Sequence, residues 1–253
     1  MLLLGLLACF KTAAVEVRVD PIEAPGSFPY DLYDEAFSGR VTEDGLIDYA
    51  SLQADGTPLD TFIGHVAAVS PHGEPELFPS DDHALAYWLN SYNALAVRGV
   101  LDRPEMNSVI DQKVEFFYSQ RYRMGSEKVS LYTLENGIIR KEFGDPRIHF
   151  WLNCQSISCP AFPATAIRPD TLDAQLDAAT TAFVTSEAHV EVLADGRIAV
   201  SSIFQWYADD FGGEQGVLPF IHRYHEAIPE TGELVYKDYD WGLIEQPGRG
   251  PDA

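Results

Sequence analysis

One segment has the length and the period to organise everything around it. Between residues 83 and 101 no proline intervenes, and Leu85, Leu89, Tyr92 and Ala96 recur at the three-to-four-residue spacing that lines one face of an α-helix. Asp81 or Asp82 stands where a side-chain cap would satisfy the first free amide groups. A helix with such a stripe must be covered by other elements, so it predicts the centre of a packed domain.

The flanking signals are shorter. Helices are expected over residues 30–37, 58–69, 109–118 and 131–143, the second with Leu59, Phe62, Ile63 and Val66 on one face, and brief strands at 46–49 and 147–153. Gly125-Ser126 is expected to turn a hairpin over residues 122–130. Asp195-Gly196 turns a stronger one over 190–200, because Asp-Gly tolerates the positive φ of a tight turn. Further helices follow from Asp170 or Thr171, with Leu172, Leu176, Ala179 and Phe183 in register, and over 204–210 and 216–225. Helices outnumber strands without alternating with them, which predicts an α+β fold: a single mostly helical domain with a small mixed or antiparallel sheet.

With 46% hydrophobic residues in 253, the chain can bury a full core in one domain. The net charge of −22 repels phosphate backbones and anionic lipid headgroups, which argues against a nucleic-acid partner. The apolar run at residues 1–10 is too short to span a bilayer and reads as a secretory leader, over residues 1–14, that lacks its basic start. Leu6-Leu7-Ala8-Cys9 is similar to a lipoprotein box, which makes Cys9 a lipidation candidate and a lipid anchor the one expected route to a membrane. A soluble secreted protein cut near Ala13-Ala14 is the alternative. The rest divides into an extended tether at 15–29, the domain at 30–246 and a loose tail at 247–253, with the periplasm or cell envelope as the expected location.

Four segments carry a resemblance. They are Tyr87 to Leu95, reading Tyr-Trp-Leu-Asn-Ser-Tyr-Asn-Ala-Leu; the long stretch from Asp145 to Pro160; Ser202 to Phe211; and Tyr239-Asp240-Trp241. Together they resemble the family known as domain of unknown function 547, over roughly residues 37–243. The resemblance implies a shared fold and brings no activity with it.

The chemistry must therefore be read from the residues. A strand over Arg147 to Asn153 would put Arg147, His149 and Asn153 on one face and Cys154 on the other, unless the strand ends and Cys154 opens a turn toward the same side. In that turn exposed backbone N–H groups would favour the Cys154 thiolate. One expectation is thus a thiol-dependent hydrolase or transferase, with Cys154 as nucleophile, His149 as base or orienter, and Asn153, Arg147 or Asn90 binding substrate. Asn93 and Glu135 are further binding candidates, although buried amides at Asn90 and Asn93 equally suit holding a loop. The alternative is a non-catalytic envelope module in which Cys154 and Cys159 form a disulfide and the polar residues line a ligand cleft. That bond requires the intervening segment to turn. His149, Cys154 and Cys159 lack a marked fourth ligand for a metal, and neither metal nor cofactor is expected. In papain-like order Cys154 would be followed by His189 with Asp209 or Asp210. The expected partner is an unidentified small molecule or peptide.

Overall fold

The computed structural model describes residues 12–13 and 28–246. The tail at 247–253, Cys9, and all of the leader and tether other than Thr12, Ala13, Phe28 and Pro29 lie outside the described residues. Eight α-helices are defined among the described residues: α1 (Asp31–Phe37), α2 (Tyr49–Ala54), α3 (Thr57–Ala68), α4 (Asp81–Leu101), α5 (Arg140–Phe143), α6 (Leu172–Thr185), α7 (Ile203–Trp206) and α8 (Glu214–Tyr224). The expected α+β class is what is found. No described helix is long and apolar enough to cross a membrane.

Helix α4 is the expected core helix, but its cap is Ser80, whose hydroxyl accepts the His83 N–H. Asp81 and Asp82 lie instead in the first turn, where their charge favours the helix dipole. The single apolar stripe understates the burial: every residue from Leu85 to Val97 is buried. The polar members of that run, Asn90, Ser91 and Asn93, therefore face protein and not water. Helix α3 packs beside it and α1 packs on α3, bringing Tyr33, Phe37 and Phe62 into the same core. Phe28, upstream of the expected domain start, is already in this core, against Phe62 and Tyr87. Burying such a ring stabilises the fold by about 2 kcal/mol.

A second, smaller core gathers Phe150, Phe183, Ile198, Phe204 and Ile221. Its sheet consists of β4 (Val190–Val192) and β5 (Ile198–Val200), the expected hairpin with Val190 opposite Val200, and an unforeseen parallel strand, β6 (Leu234–Tyr236). The other sheet pairs β2 (Arg121–Met124) with β3 (Glu127–Val129), turned at Gly125, while β1 (Thr12–Ala13) runs parallel beside Arg121 and Tyr122. Both sheets are therefore mixed.

Several expected elements take other forms. At 46–49 only Ile47 forms isolated bridges, because Asp48 accepts the Ser51 N–H at 2.9 Å and starts α2. The expected helix at 109–118 is a 3-10 turn (Val109–Gln112) followed by a π-helix (Val114–Ser119), and that at 131–143 is a π-helix (Thr133–Ile139) running into α5. Residues 203–211 split into α7 and a 3-10 turn (Ala208–Phe211).

Candidate functional site

The expected strand at 147–153 is a 3-10 helix, Pro146–Phe150. Asp145 caps it, accepting the Arg147 N–H at 2.9 Å, and Pro146 supplies a pre-set φ for the first helical position. A 3-10 helix repeats every three residues, so it presents three faces instead of two. Arg147 and Phe150 share the face toward α6: Arg147 bonds Asp173 and Asp177, and Phe150 packs on Phe183. Ile148 and Trp151 enter the first core. His149 alone is delivered to a pocket between the cores. The expected alignment of Arg147 with His149 is thus corrected by the change of period from two to three.

Beyond this helix the chain must turn back sharply. Asn153 and Asn93 hold it: the Asn93 amide donates to the Trp151 carbonyl at 3.0 Å and its oxygen accepts the Asn153 N–H at 2.9 Å. Asn153 in turn donates to the Pro160 carbonyl at 2.6 Å and accepts the Gln155 N–H at 2.7 Å, so both ends of the loop are tied to one side chain. Gln155 takes a left-handed φ of 69°, unusual for a residue with a side chain, and the Tyr49 hydroxyl anchors it from the first core. This turn brings the Cys154 and Cys159 Cα atoms to 6.3 Å, and their sulfurs are disulfide-bonded.

The disulfide forms part of a pocket of about 410 Å³. The pocket lies at the seam of the two cores, with Tyr92 and Leu152 from the first, and with His149 beside the Tyr207 and Tyr239 rings that pack on the second. Both π-helices open onto it, one through Phe117 and Tyr118, the other through Glu135 and Asn136. Trp206, Tyr239 and Trp241 form one aromatic group, with ring centroids 4.5 to 5.4 Å apart. Tyr118 and Tyr132, stacked at 4.7 Å, form another.

Two carboxylates define the polar chemistry. Glu135 is buried and accepts from the Tyr92 hydroxyl at 3.1 Å and the Tyr207 hydroxyl at 2.5 Å. Burial, and then the Glu135 charge, push both phenols far above their ordinary range, so they remain donors. Asp210 lies behind His149. Its carboxylate accepts from His149 Nε2 at 2.7 Å and from Arg140 Nε and Nη2 at 2.7 and 2.8 Å. Partial burial pushes Asp210 upward, but the hydrogen bonds from His149 and Arg140 outweigh it and hold the carboxyl well below the usual range. An ionised Asp210 can only accept, so the His149 proton facing it sits on Nε2. The imidazole is further fixed by stacking on Tyr207 at 4.0 Å.

The structure brings Cys154, Cys159, His149 and Glu135 to the lining of one pocket and leaves Asn90, Asn93, Arg147 and Asn153 outside it. Asn90 bonds Ala86, and its amide both donates to and accepts from the backbone of Ile167. Asn90, Asn93 and Asn153 have their amides engaged with backbone, the loop-holding role. Arg147 is clamped by Asp145, Asp173 and Asp177. His189 stacks on Phe183 at 3.8 Å, its pKa lowered by burial to about 4, and Asp210 pairs with His149 instead. Among the described residues no group of three or more His, Cys, Asp or Glu could hold a metal ion.

Residues 78–184 match the family described as protein of unknown function, DUF547. This likeness to the DUF547 family takes in α4, Glu135 and the whole disulfide loop. Ser202 to Phe211 and Tyr239 to Trp241 fall beyond the matched residues, so Tyr207, Asp210, Tyr239 and Trp241 reach the site from outside them. No curated protein and no solved structure matches the chain. The aromatic lining was missed as a site by sequence reasoning. Its one readable signal was the alternation of Tyr239 and Trp241, which in an extended segment puts both rings on one face.

Proposed function

We propose that this chain is an exported envelope binding protein whose aromatic pocket takes a small molecule or a peptide group. In this reading the Cys154–Cys159 disulfide fixes the loop that forms part of the pocket wall, and Cys9 carries the lipid that retains the protein at the membrane. The observation that supports it best is the bond itself: with both sulfurs joined beside an aromatic cleft, the pocket offers ring faces and a buried Glu135 acceptor but no free thiol. Flat apolar groups stack well on Trp206 and Trp241, and an N–H or O–H donor suits Glu135. The test is a thermal-shift screen of small molecules and short peptides on protein purified without reductant. Ligands that raise Tm in the wild type should lose most of the effect in Trp206→Ala and Glu135→Gln. Ligands indifferent to both changes, or a native protein with two free thiols, would refute the reading.

One observation favours a thiol hydrolase or transferase as a second reading. His149 is oriented by Asp210 and lines the same pocket as Cys154, so reduction would expose a thiol in a pocket that also holds a positioned imidazole. This version requires iodoacetamide to label Cys154 in reduced protein faster than an ordinary exposed thiol, and the enhancement to fall in His149→Ala. Equal labelling in both proteins would dismiss it.

A further inference from the structure

The two sulfurs are not equivalent. Cys154 is half-buried and Cys159 is 6% exposed, so an incoming group meets Cys154 first. Cys159 Sγ accepts from the Cys154 backbone N–H at 3.0 Å and lies 3.1 Å from the Tyr239 hydroxyl. A disulfide sulfur has no proton to give, so Tyr239 is the donor. Burial, and then Glu135, push the Tyr239 phenol far above its ordinary pKa, which keeps that proton in place. The same hydroxyl is 3.3 Å from Cys154 Sγ, and Ser156 Oγ is 3.4 Å from it. Several of the exposed large apolar side chains lie near this bond. Tyr118, Tyr132 and Trp206 line the pocket, and Ile157 lies within the disulfide loop itself.

We propose that the Cys154–Cys159 disulfide is a thiol–disulfide exchange centre that oxidises a peptide or unfolded protein segment carrying two thiols and apolar side chains. This goes beyond ligand binding, since a pocket can hold a ligand over an inert disulfide. A substrate thiolate attacks Cys154 Sγ in line with the S–S bond. A bond forms between the substrate sulfur and Cys154, the Cys154–Cys159 bond breaks, and the electron pair leaves on Cys159. The backbone N–H and the Tyr239 hydroxyl stabilise that thiolate, and a leaving thiol of lowered pKa departs faster. The second thiolate of the substrate then attacks its own bonded sulfur, closing the substrate disulfide and expelling Cys154 as a thiolate beside Tyr239. Two electrons pass from the substrate dithiol to the protein, and the two substrate protons end on the Cys154 and Cys159 thiols. The exposed apolar rim retains the substrate's aliphatic and aromatic groups during exchange.

The test uses the full chain, purified without reductant, and a synthetic two-cysteine peptide flanked by Leu and Phe, compared with one flanked by Gly and Ser and with dithiothreitol. Reactions are quenched in acid, alkylated and read by mass. The apolar peptide should be oxidised at least about tenfold faster than the Gly/Ser peptide. A one-cysteine version of the apolar peptide, which cannot close a disulfide of its own, should be recovered bonded to Cys154 with Cys159 alkylated, and Tyr239→Phe should slow the first step about tenfold, the loss of one hydrogen bond to a charged sulfur. A Tyr239→Phe variant that unfolds is recognised by circular dichroism, and the site of attachment of the one-cysteine peptide then carries the assignment alone. Reduction of the disulfide only in denaturant, equal rates for both peptides and dithiothreitol, or recovery of the one-cysteine peptide bonded to Cys159 would overturn the proposal. Exchange is read by thiol oxidation and ligand binding by the Tm shift of the oxidised protein, so either reading can fail without the other.

Discussion

Replacing Asp210 with Ala removes the acceptor that orients His149 and neutralises Arg140 in one step. The carboxylate takes three charge-assisted hydrogen bonds, two from Arg140 and one from His149. Each such bond contributes about 1.5–3 kcal/mol when shielded from water. The simple sum overstates the loss, because the Arg140 and Asp210 side chains are 24% and 25% exposed and water would solvate much of the vacated guanidinium. His149, whose side chain is 2% exposed, cannot be reached in this way and carries most of the penalty. We expect Asp210→Ala to lower stability by about 2–3 kcal/mol at pH 7, and Asp210→Asn, which keeps one acceptor oxygen, by about 1 kcal/mol. The pH dependence follows from the sign of the shift. The folded pKa of Asp210 is depressed, so its stabilisation is fully present above the ordinary carboxylate value and is lost as pH falls toward the folded one. Urea unfolding of wild type and variant should therefore differ by a constant amount down to about pH 5, with the gap closing below about pH 4. A difference under about 0.5 kcal/mol at pH 7, in the range of an ordinary surface substitution, would refute the reasoning. So would a gap that stays open at acid pH.

Four further outcomes are expected. Asn93→Ala leaves the buried Trp151 carbonyl and Asn153 N–H without their partner, and should cost about 2–4 kcal/mol in chemical unfolding while making the Cys154–Cys159 bond easier to reduce in native protein. Gly45→Ala drives a Cβ into the backbone of Ala161 and Phe162 at a φ of +79°, and should lower Tm by several degrees, whereas Gly144→Ala, with open space around it, should lower it less. His72 bridges Glu127 and Glu142 at 3.0 and 3.1 Å; burial lowers its pKa, but those bonds outweigh it and the net shift is upward. Its stabilisation is thus present below pH about 6.5 and lost as pH rises through the folded value, so a Tm profile over pH 5.5–8.5 should flatten in His72→Gln. Finally, Cys9→Ser in cells should move the protein from the membrane to the soluble fraction; equal partitioning, or a mature N-terminus beyond Ala13, would exclude the lipid anchor.

The features that were readable in the sequence are those controlled by local chemistry over a long span. Helix α4 has a strong enough period to survive any environment, and the β4–β5 hairpin follows from a turn that Asp195-Gly196 favours in isolation. The α+β class follows from counting such elements. Short segments behaved differently, because tertiary packing selects among nearly equal local states. Residues 109–118 and 131–143 have ordinary helical patterns, yet both widen into π-helices where they open onto the pocket, as π turns often do at such places. The strand β6 has no alternation to announce it and exists because β5 offers it an edge.

The misreading of residues 147–153 shows why the site itself was only half legible. An alternating pattern of Arg147, His149 and Asn153 fits a strand, and nothing in those side chains contradicts one. The deciding residues lie just before: Asp145 followed by Pro146 is a cap and a first helical position, and a helical turn begun there cannot keep a period of two. The period of three then sends Phe150 to one core and Ile148 to the other, and this division, not an affinity for solvent, is what leaves His149 at the seam. His149 next required a partner from far along the chain, and Asp210 could not be chosen over Asp209 without knowing that the 3-10 turn at 208–211 carries Asp210 toward Arg140. Glu135 was a candidate from the start, but its tyrosine donors at 92 and 207 come from the two sides of the seam, so its role emerges only when both cores have closed.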